Sequence, residues 1–401
     1  MSNTTASTLD TTEPAPVLVP AQQPQWSAHP AYEPVRTALR DAAAMVTLAD
    51  LDGLRQSLAS VAMGNARLLQ AGDCAESFYE CTPERTDAKL TVLERVADCW
   101  ELLGGLAVVR IGRIGGQFAK PRSSETERFK ERDIPAFRGH LINSELPTLS
   151  ARQHDPRRML WAYEASARVL ERLAERRKSH APLAGFLERG PWSSHEALVL
   201  DYEMCMLRED PASGTAYLAS THLPWVGLRT HQPHLPHVQL LARVANPVGC
   251  KIGPETSPET TLQLCAALDP DRVPGRLVLI VRMGAGRIEE ALPDLVAAVR
   301  KAGHPVVWLS DPMHGNTVLT PTGHKTRHLS QIEAEVRAFG RVIDRAGMPA
   351  GGLHLEMAAT DVTECVGGPV RSEADVPTRY LSLCDPRLNP EQAVRVLSAW
   401  N

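Results

Sequence analysis

Four residues of types that bind transition metals stand at or just after short apolar runs of the sequence: Cys74, His314, Glu356 and Asp385. A thiolate, an imidazole and two carboxylates together suit a divalent first-row ion such as Mn²⁺, Co²⁺, Fe²⁺ or Zn²⁺. Such an ion, held with an open coordination position, can polarise a carbonyl group. A single buried cysteine is more often a structural thiol. The metal site is therefore expected only if the fold brings all four residues together.

Cationic side chains follow similar apolar runs. Charges at the ends of apolar strands are costly unless they are paired, and the acidic residues nearby look too few to neutralise them all in a ring of salt bridges. Arginine offers a planar fork to phosphate or carboxylate, whereas lysine acts as a point charge. The set predicts binding of anionic substrates and consists of Arg113, Lys120, Arg122, Arg229, Lys251, Arg282, Lys325 and Arg327.

A third group, His231, His234 and His237, resembles a metal-binding tract. Pro233 and Pro236 prevent a regular helix that would align the three imidazoles. We therefore interpret this segment as a loop or a solvated helix start.

The elements that must position these residues alternate between short apolar runs and helical patterns. Apolar runs without strict alternation suit strands covered on both faces, and alternation with helices points to a parallel sheet. Eight such runs favour a closed (β/α)8 TIM barrel, whose active site lies at the carboxyl ends of the strands. The alternative, an open doubly wound sheet, is weakened because no Gly-x-Gly-x-x-Gly motif follows the first strand. The predicted strands are Leu68–Gly72, Leu106–Gly112, Ala197–Asp201, Tyr217–Thr221, Pro247–Ile252, Leu277–Arg282, Val306–Ser310 and Gly352–Glu356.

The chain divides into three predicted parts. Residues 1–25 are rich in Thr, Ser, Ala and Pro, a composition typical of a disordered tail. Residues 26–66 form an N-terminal helical extension, in which a second helix starts after Thr47 as N-cap. Residues 67–401 form the catalytic barrel.

Bulk composition excludes several classes of function. The 401 residues carry a net charge of -4, which argues against nucleic acid or an acidic membrane surface as the main partner. No apolar stretch is long enough to span a membrane, and the N-terminus lacks the pattern of a secretory signal. The eight cysteines are scattered, as in reduced cytosolic proteins. We expect a cytoplasmic enzyme.

Long motifs resemble a known family, the class II (plant-type) 3-deoxy-D-arabino-heptulosonate 7-phosphate (DAHP) synthases. The resemblance extends from about Trp26 to the C-terminus, and the compact length resembles the short, phenazine-type members that serve secondary metabolism. The motifs are LLQAGDCAESF (68–78), RIGRIGGQFAKPRS (110–123), SHEALVLDYE (194–203), NPVGCKIGP (246–254), LSDPMHGNT (309–317), KTRH (325–328), GLHLEMAATDVTECVGG (352–368) and CDPRLNPEQA (384–393).

The resemblance implies a homodimer that condenses phosphoenolpyruvate with erythrose 4-phosphate and releases phosphate. It implies a divalent metal, with Mn²⁺ favoured over Co²⁺ or another first-row ion, on Cys74, His314, Glu356 and Asp385. Lys251 and His314 are the candidates for proton transfer. Phosphoenolpyruvate would contact Arg113, Arg229, Lys251, Arg282 and His314, while Lys120, Arg122 and Ser123 would lie toward the aldose phosphate.

Two positions depart from the family pattern. Leu228 stands where the family carries an acidic residue before the anion-binding arginine, and His140 stands where it carries an aspartate. They motivate a second hypothesis, in which the acceptor is an amino or imino analogue of erythrose 4-phosphate. A third hypothesis is a catalytically weak homologue that acts as a binding partner. The short chain also predicts weak feedback inhibition by Phe, Tyr or Trp, and Cys384 beside Asp385 suggests an inactivating disulfide with Cys74.

Overall fold

A computed structural model describes residues 20–179 and 187–400 of the protein. Eight parallel strands pair in chain order, and the last pairs with the first, so that the sheet closes into the expected barrel. Helices lie between the strands, which confirms the (β/α)8 fold. The strands are β1 Arg67–Gly72, β2 Val108–Arg113, β3 Trp192–Glu196, β4 Leu223–Val226, β5 Val248–Ile252, β6 Leu277–Val281, β7 Val307–Ser310 and β8 Ala350–Glu356.

The helices of the described residues include two in the N-terminal extension, α1 Tyr32–Asp41 and α2 Leu48–Ala62. Those that follow are α3 Pro83–Gly104, α4 Arg158–Ser179, α5 Leu200–Cys205, α6 Pro236–Leu241, α7 Pro258–Leu268, α8 Ile288–Ala302, α9 Leu329–Arg345 and α10 Pro390–Leu397, with short 3-10 helices at Phe78–Glu80 and Glu373–Arg379. Three antiparallel hairpins decorate the barrel: Thr126–Phe129 with Arg132–Pro135, Leu207–Glu209 with Ala216–Leu218, and Thr317–Leu319 with Lys325–Arg327.

Two of the predicted strands are wrong. The third barrel strand is Trp192–Glu196, whereas the predicted Ala197–Asp201 forms a loop and the start of α5. The fourth barrel strand is Leu223–Val226, whereas the predicted Tyr217–Thr221 contributes only to a hairpin. Both true strands are hidden in the sequence because β3 is mostly polar and β4 contains a proline, which argues against a central strand.

The extension covers the amino end of the barrel. Thr47 and Asp50 form a reciprocal capping box that starts α2, as the sequence predicts for Thr47. Leu54, Leu58 and Val61 of α2 are buried in the same apolar cluster as the residues that fill the barrel interior. The helix therefore closes the barrel floor with apolar contacts.

The tail predicted for residues 1–25 lies largely outside the described residues, which begin at residue 20. The Gln23 side chain donates to the Leu198 carbonyl at 2.9 Å and accepts from the Leu200 N–H at 2.9 Å. No helix in the described ranges is long and apolar enough to cross a membrane.

Candidate functional site

Three of the four predicted metal ligands converge at the carboxyl end of the barrel. One ligand atom from each of His314, Glu356 and Asp385 lies within 4.8 Å of the others. Cys74 adjoins them, because its Sγ accepts a hydrogen bond from the Asp385 N–H at 3.1 Å. Strand order explains the meeting: Cys74 follows β1 and Glu356 ends β8, and these two strands are neighbours across the barrel closure.

His314 is oriented by a carboxylate behind it. Its Nδ1 lies 2.8 Å from Asp311 Oδ2. Its Nε2 faces Glu356 Oε1 at 3.0 Å. Although burial opposes ionisation, His314 and Lys251 hold the pKa of Asp311 well below its usual range. A carboxylate on the second ring nitrogen is the usual support of a metal-binding histidine.

Glu356 is fully buried and is surrounded by cations. Its Oε1 lies 3.2 Å from Arg113 Nη2 and 3.1 Å from Lys120 Nζ, and its Oε2 lies 2.8 Å from Arg327 Nη1. Burial alone would favour the protonated acid, but His314, Lys120 and Arg327 hold the pKa of Glu356 well below its usual range. The carboxylate is therefore ionised and able to bind a metal.

Cys74 is also placed to act as a thiolate. Burial tends to raise its pKa, but a hydrogen bond from Cys384 and the charge of Lys120 lower the pKa of Cys74 to about 7. The Ser382 hydroxyl lies 3.4 Å from the same sulfur. With this sulfur adjoining the imidazole and the two carboxylates, the types of donor fit a divalent first-row ion.

A cavity of about 280 Å³ opens beside this cluster. Every residue that the family resemblance places at a substrate lines it, together with Asp385, Lys325 and Cys384, whereas Arg327 of the predicted cation set is not among the described residues of the lining. Its lining is Arg113, Gln117, Lys120, Pro121, Arg122, Ser123, Ser124, Glu196, Trp225, Gly227, Leu228, Arg229, Lys251, Arg282, His314, Lys325, Cys384 and Asp385.

The expectation that nearby acids are too few for these cations is wrong. Among the described residues, carboxylates pair with six of the eight cations of the predicted set: Glu356 with Arg113, Lys120 and Arg327, Asp385 with Lys120 and Lys325, Asp311 with Lys251, and Glu127 with Arg122. Two of those carboxylates are predicted metal ligands. Arg229 and Arg282 make no ion pair with a described residue, so both are available to an anion.

Lys251 lies on β5 with its ammonium group buried at the cavity wall. Its Nζ is 2.9 Å from Asp311 Oδ2 and 3.4 Å from His314 Nδ1. Burial lowers the pKa of Lys251, with Arg113 acting in the same direction and Asp311 opposing it. An ammonium whose pKa is lowered gives up its proton more readily, which suits a group that moves protons.

Sequence reasoning missed Glu196 and did not use Trp225. Glu196 ends β3, is part of the cavity lining, and has its pKa raised by burial in spite of Lys251 and Lys120. The Trp225 ring lies 5.3 Å from the Arg113 guanidinium carbon, a cation–π contact. Glu196 would have been found by the rule that site residues end strands, had β3 been placed correctly.

The histidine tract is not part of this site. His231 is buried, with Nδ1 2.6 Å from the Leu228 carbonyl oxygen, and His237 is buried in α6, with Nε2 3.1 Å from the Leu198 carbonyl oxygen. His231 and His234 lie in a loop, as interpreted, and His234 is exposed; the helix start at His237 is buried, so the alternative of a solvated helix start is wrong. Among the described residues, none of the three belongs to a group that could hold a metal.

The two departures from the family pattern lie in different surroundings. Leu228 lines the cavity next to Arg229. His140 is not among the described residues that line it. Instead, the His140 ring packs against Phe137, with 5.4 Å between ring centroids, and its Nε2 lies 3.0 Å from Glu145 Oε2. Phe137 shares a cluster with Cys74, so His140 is one side chain removed from the site.

Fold and site together define a (β/α)8-barrel enzyme with a ligand set for a divalent metal beside an arginine- and lysine-lined cavity. The class-II DAHP synthetase family matches residues 16–189 and 177–399, so the chain belongs to that family. It is thus a transferase of the DAHP synthase type, and class II DAHP synthases depend on a divalent metal.

Similar proteins agree with this assignment. A probable phospho-2-dehydro-3-deoxyheptonate aldolase of Pseudomonas fluorescens is 45% identical over 380 residues, which cover 94% of this chain and 94% of that protein. A phospho-2-dehydro-3-deoxyheptonate aldolase of Streptomyces coelicolor is 38% identical over 420 residues, covering 94% of this chain and 93% of that one. A solved structure of the Francisella tularensis aldolase of the same name is only 12% identical, with a TM-score of 0.52 over 92% of this chain and 97% of that one, and supports the fold alone.

Proposed function

We propose that this protein joins phosphoenolpyruvate to erythrose 4-phosphate and water, giving DAHP and inorganic phosphate. The observation that carries the proposal is a cavity in which seven of the eight predicted anion-binding cations meet His314 and Asp385. Two phosphorylated substrates need several cations in one place, and the cavity offers Arg229 and Arg282 without an ion pair to any described residue.

In this proposal Cys74, His314, Glu356 and Asp385 hold the metal, with Mn²⁺ favoured. When bound, the ion would polarise the aldehyde carbonyl of the acceptor. The convergence of His314, Glu356 and Asp385, with Cys74 adjoining Asp385, supports this ligand set. Availability decides among metals that share such ligands, so metal analysis of the purified protein is the direct test of the identity.

The protein side chains orient the donor and handle protons. Arg113, Arg229, Arg282 and Lys251 would hold the phosphate and carboxylate of phosphoenolpyruvate, so that C3 faces the aldehyde carbon. Lys120, Arg122 and Ser123 would hold the phosphate of the acceptor. As the new carbon–carbon bond forms, positive charge develops at C2, water adds there, and phosphate leaves. Lys251 and His314 are the candidates for moving the protons, which their 3.4 Å separation and their shared contact with Asp311 support.

The first experiment measures consumption of phosphoenolpyruvate by metal-stripped protein with erythrose 4-phosphate, before and after addition of Mn²⁺. The proposal expects metal-dependent consumption with equal release of phosphate. Binding of phosphoenolpyruvate without consumption would reject this acceptor. Binding of neither metal nor phosphoenolpyruvate would favour the catalytically weak homologue instead.

A modified acceptor is the second candidate function, because Leu228 lines the cavity beside Arg229. An apolar side chain there removes the negative charge that the family pattern places next to the arginine. Turnover of erythrose 4-phosphate and of its amino analogue should be compared in the natural protein and in Leu228→Glu. Preference for the amino analogue that Leu228→Glu reverses would establish this alternative.

Service to secondary metabolism, a homodimeric state and weak feedback inhibition also belong to the proposal. Their support is the resemblance to short family members. Sedimentation of the protein tests the dimer. Adding Phe, Tyr and Trp, singly and in pairs, to the activity assay tests feedback regulation. Strong inhibition would refute the prediction of weak feedback inhibition.

A further inference from the structure

Three glutamates outside the cavity bind the backbone of the loops that form it. Glu76, Glu335 and Glu364 are each fully buried. The carboxylate of each accepts hydrogen bonds from two or three backbone N–H groups of a loop at the carboxyl end of the barrel, here called the mouth, where the cavity opens. A buried carboxylate is costly unless it is well hydrogen-bonded, and here the bonds are made to loops. All three glutamates lie outside the set of described residues that line the cavity.

Glu364 organises the segment that carries Asp385. Its Oε1 accepts from the N–H groups of Leu381 at 3.0 Å and Ser382 at 2.8 Å, and its Oε2 accepts from the Arg387 N–H at 2.7 Å. The Arg387 side chain adds an ion pair with Glu364 at 2.8 Å and a second with Asp73 at 2.6 Å. Asp73 directly precedes Cys74. One buried group of charges therefore connects the segments of two metal ligands.

Glu335, on α9, joins the loops after β6 and β7. Its Oε1 accepts from the N–H groups of Met283 at 3.0 Å and Gly284 at 2.9 Å, directly after Arg282. Its Oε2 accepts from Asn316 Nδ2 at 2.6 Å, two residues after His314. The carboxylate therefore links the loop of a substrate-binding arginine to the loop of a metal-binding histidine.

Glu76 holds the loop after β2. Its Oε2 accepts from the Gly115 N–H at 3.0 Å, and its Oε1 accepts from the Gly116 and Gln117 N–H groups, both at 2.9 Å. The Glu76 N–H donates to the Gln117 carbonyl at 2.8 Å. This loop lies between Arg113 and Lys120, two of the cations that face the cavity.

We propose that Glu76, Glu335 and Glu364 are positioning residues. Each of them fixes the position of different loops at the mouth before metal and substrates bind. Glu364 fixes the positions of Asp385 and Cys74, Glu335 fixes those of Arg282 and His314, and Glu76 fixes that of Lys120. The roles of the positioned residues rest on the proposed function. The hydrogen bonds from the glutamates to the loops do not depend on it.

Glutamine separates positioning from packing because it has the shape of glutamate but replaces one acceptor oxygen with a donor. At Glu364 both oxygens face N–H donors, so either amide orientation loses at least one backbone bond. In Glu335→Gln the new side-chain amide would face the side-chain amide of Asn316. Asn316 cannot exchange its oxygen and nitrogen freely, because its Oδ1 accepts from the Ala285 N–H and its Nδ2 donates to the Pro312 carbonyl. At Glu76 one orientation loses only the Gly115 bond, so this change is the mildest.

The experiment titrates metal-stripped protein with Mn²⁺ and, separately, records the thiolate-to-metal absorption of the Co²⁺ form. We expect Glu364→Gln to weaken Mn²⁺ binding about tenfold or more, the usual effect of losing a group that supports metal ligands, and to change the Co²⁺–thiolate band. Glu335→Gln should raise the KM for phosphoenolpyruvate and weaken Mn²⁺ binding. Glu76→Gln should leave Mn²⁺ binding unchanged and raise only the KM for the aldose phosphate.

The matched control is Glu94→Gln. Glu94 is a buried glutamate of α3 that pairs with Arg176 on α4 at 2.6 Å, away from the mouth. Urea unfolding of every variant measures lost stability separately from lost metal affinity. Should Glu364→Gln not fold, Arg387→Lys keeps the charge but loses the guanidinium fork on Glu364, and it should weaken Mn²⁺ binding in the same direction.

Equal Mn²⁺ affinity in the natural protein, Glu364→Gln and Glu94→Gln would overturn the proposal, as would equal affinity in the natural protein and Arg387→Lys. Natural protein that binds Mn²⁺ normally but consumes no phosphoenolpyruvate would refute the proposed function and leave the positioning role to be decided by the metal titrations.

Discussion

The two ends of the barrel are built in opposite ways. At the floor, Leu54, Leu58 and Val61 of α2 pack into the apolar interior. At the mouth, buried ions dominate, and Glu356 alone lies within 3.2 Å of two arginines and a lysine. Apolar burial at the floor stabilises the fold at about 25 cal/mol per Å². Ion pairs at the mouth lose in desolvation much of what they gain by attraction.

The difference indicates that the two ends of the barrel have separate roles within one fold. Charges that cost stability are kept where they could bind metal and anions, and the stabilising apolar contacts lie at the end opposite the cavity. Changes at the mouth should therefore alter chemistry more than stability, and changes at the floor should do the reverse.

The largest effect is expected at the mouth, for Lys251→Met. If Lys251 transfers protons as proposed, loss of its ammonium group should lower kcat by about a hundredfold or more, while Mn²⁺ binding should remain because Lys251 is outside the proposed ligand set. Steady-state kinetics and Mn²⁺ titration measure the two quantities. A kcat that stays within about fivefold of the natural value would remove Lys251 from the chemistry.

At the floor, Leu58→Ala should lower the free energy of unfolding by about 3 kcal/mol, because it leaves a cavity in a fully buried cluster. The kcat of the folded enzyme should not change. Urea unfolding and kinetics at low temperature check both parts. A large loss of kcat with unchanged stability would contradict the division between the two ends.

The pH dependence of the free energy of unfolding tests the ionisation of a buried carboxyl group at the mouth. Burial raises the pKa of Glu335 to about 7, with Asp311 acting in the same direction against the hydrogen bonds from Gly284, Met283 and Asn316. The native state therefore keeps a proton that the unfolded chain releases near pH 4.5. Stability relative to Glu335→Gln should fall as pH rises from about 4.5 to about 7, by up to about 3 kcal/mol, and then level off. Parallel stability curves of the two proteins would refute the raised pKa.

The smallest effect is expected for Arg229→Ala. Arg229 is exposed at the cavity and makes no ion pair with a described residue. Its loss should raise the KM for phosphoenolpyruvate about tenfold, or about 1.4 kcal/mol, and leave the melting temperature unchanged. Arg243→Ala, which removes an exposed arginine from the opposite end of the barrel, is the control. If the KM for phosphoenolpyruvate is the same in Arg229→Ala as in Arg243→Ala, Arg229 is excluded from binding of this substrate.

The sequence predicts the strands whose apolar runs are uninterrupted. β5, β6 and β7 begin or end within a residue of the prediction, because both faces of these strands are buried. β3 fails that rule because its polar side chains are hydrogen-bonded to other segments on both faces of the sheet: Ser194 Oγ accepts from Gln70 Nε2 at 3.0 Å, and Ser193 Oγ lies 2.8 Å from His222 Nδ1. A polar strand paired in this way cannot be distinguished from a loop by sequence pattern alone.

By itself, the sequence determined which residue types could carry the chemistry: the thiol, imidazole and carboxylates for a metal, and the arginines and lysines for anions. Only the tertiary structure decided how those charges are balanced, because Glu356 and Asp385 meet their cations through strand closure and loop contacts between distant segments. It also decided that Glu76, Glu335 and Glu364 hold loops and do not face the cavity. Hydrogen bonds to the backbone depend on where a distant chain segment passes, and the identity of the residue does not encode that position.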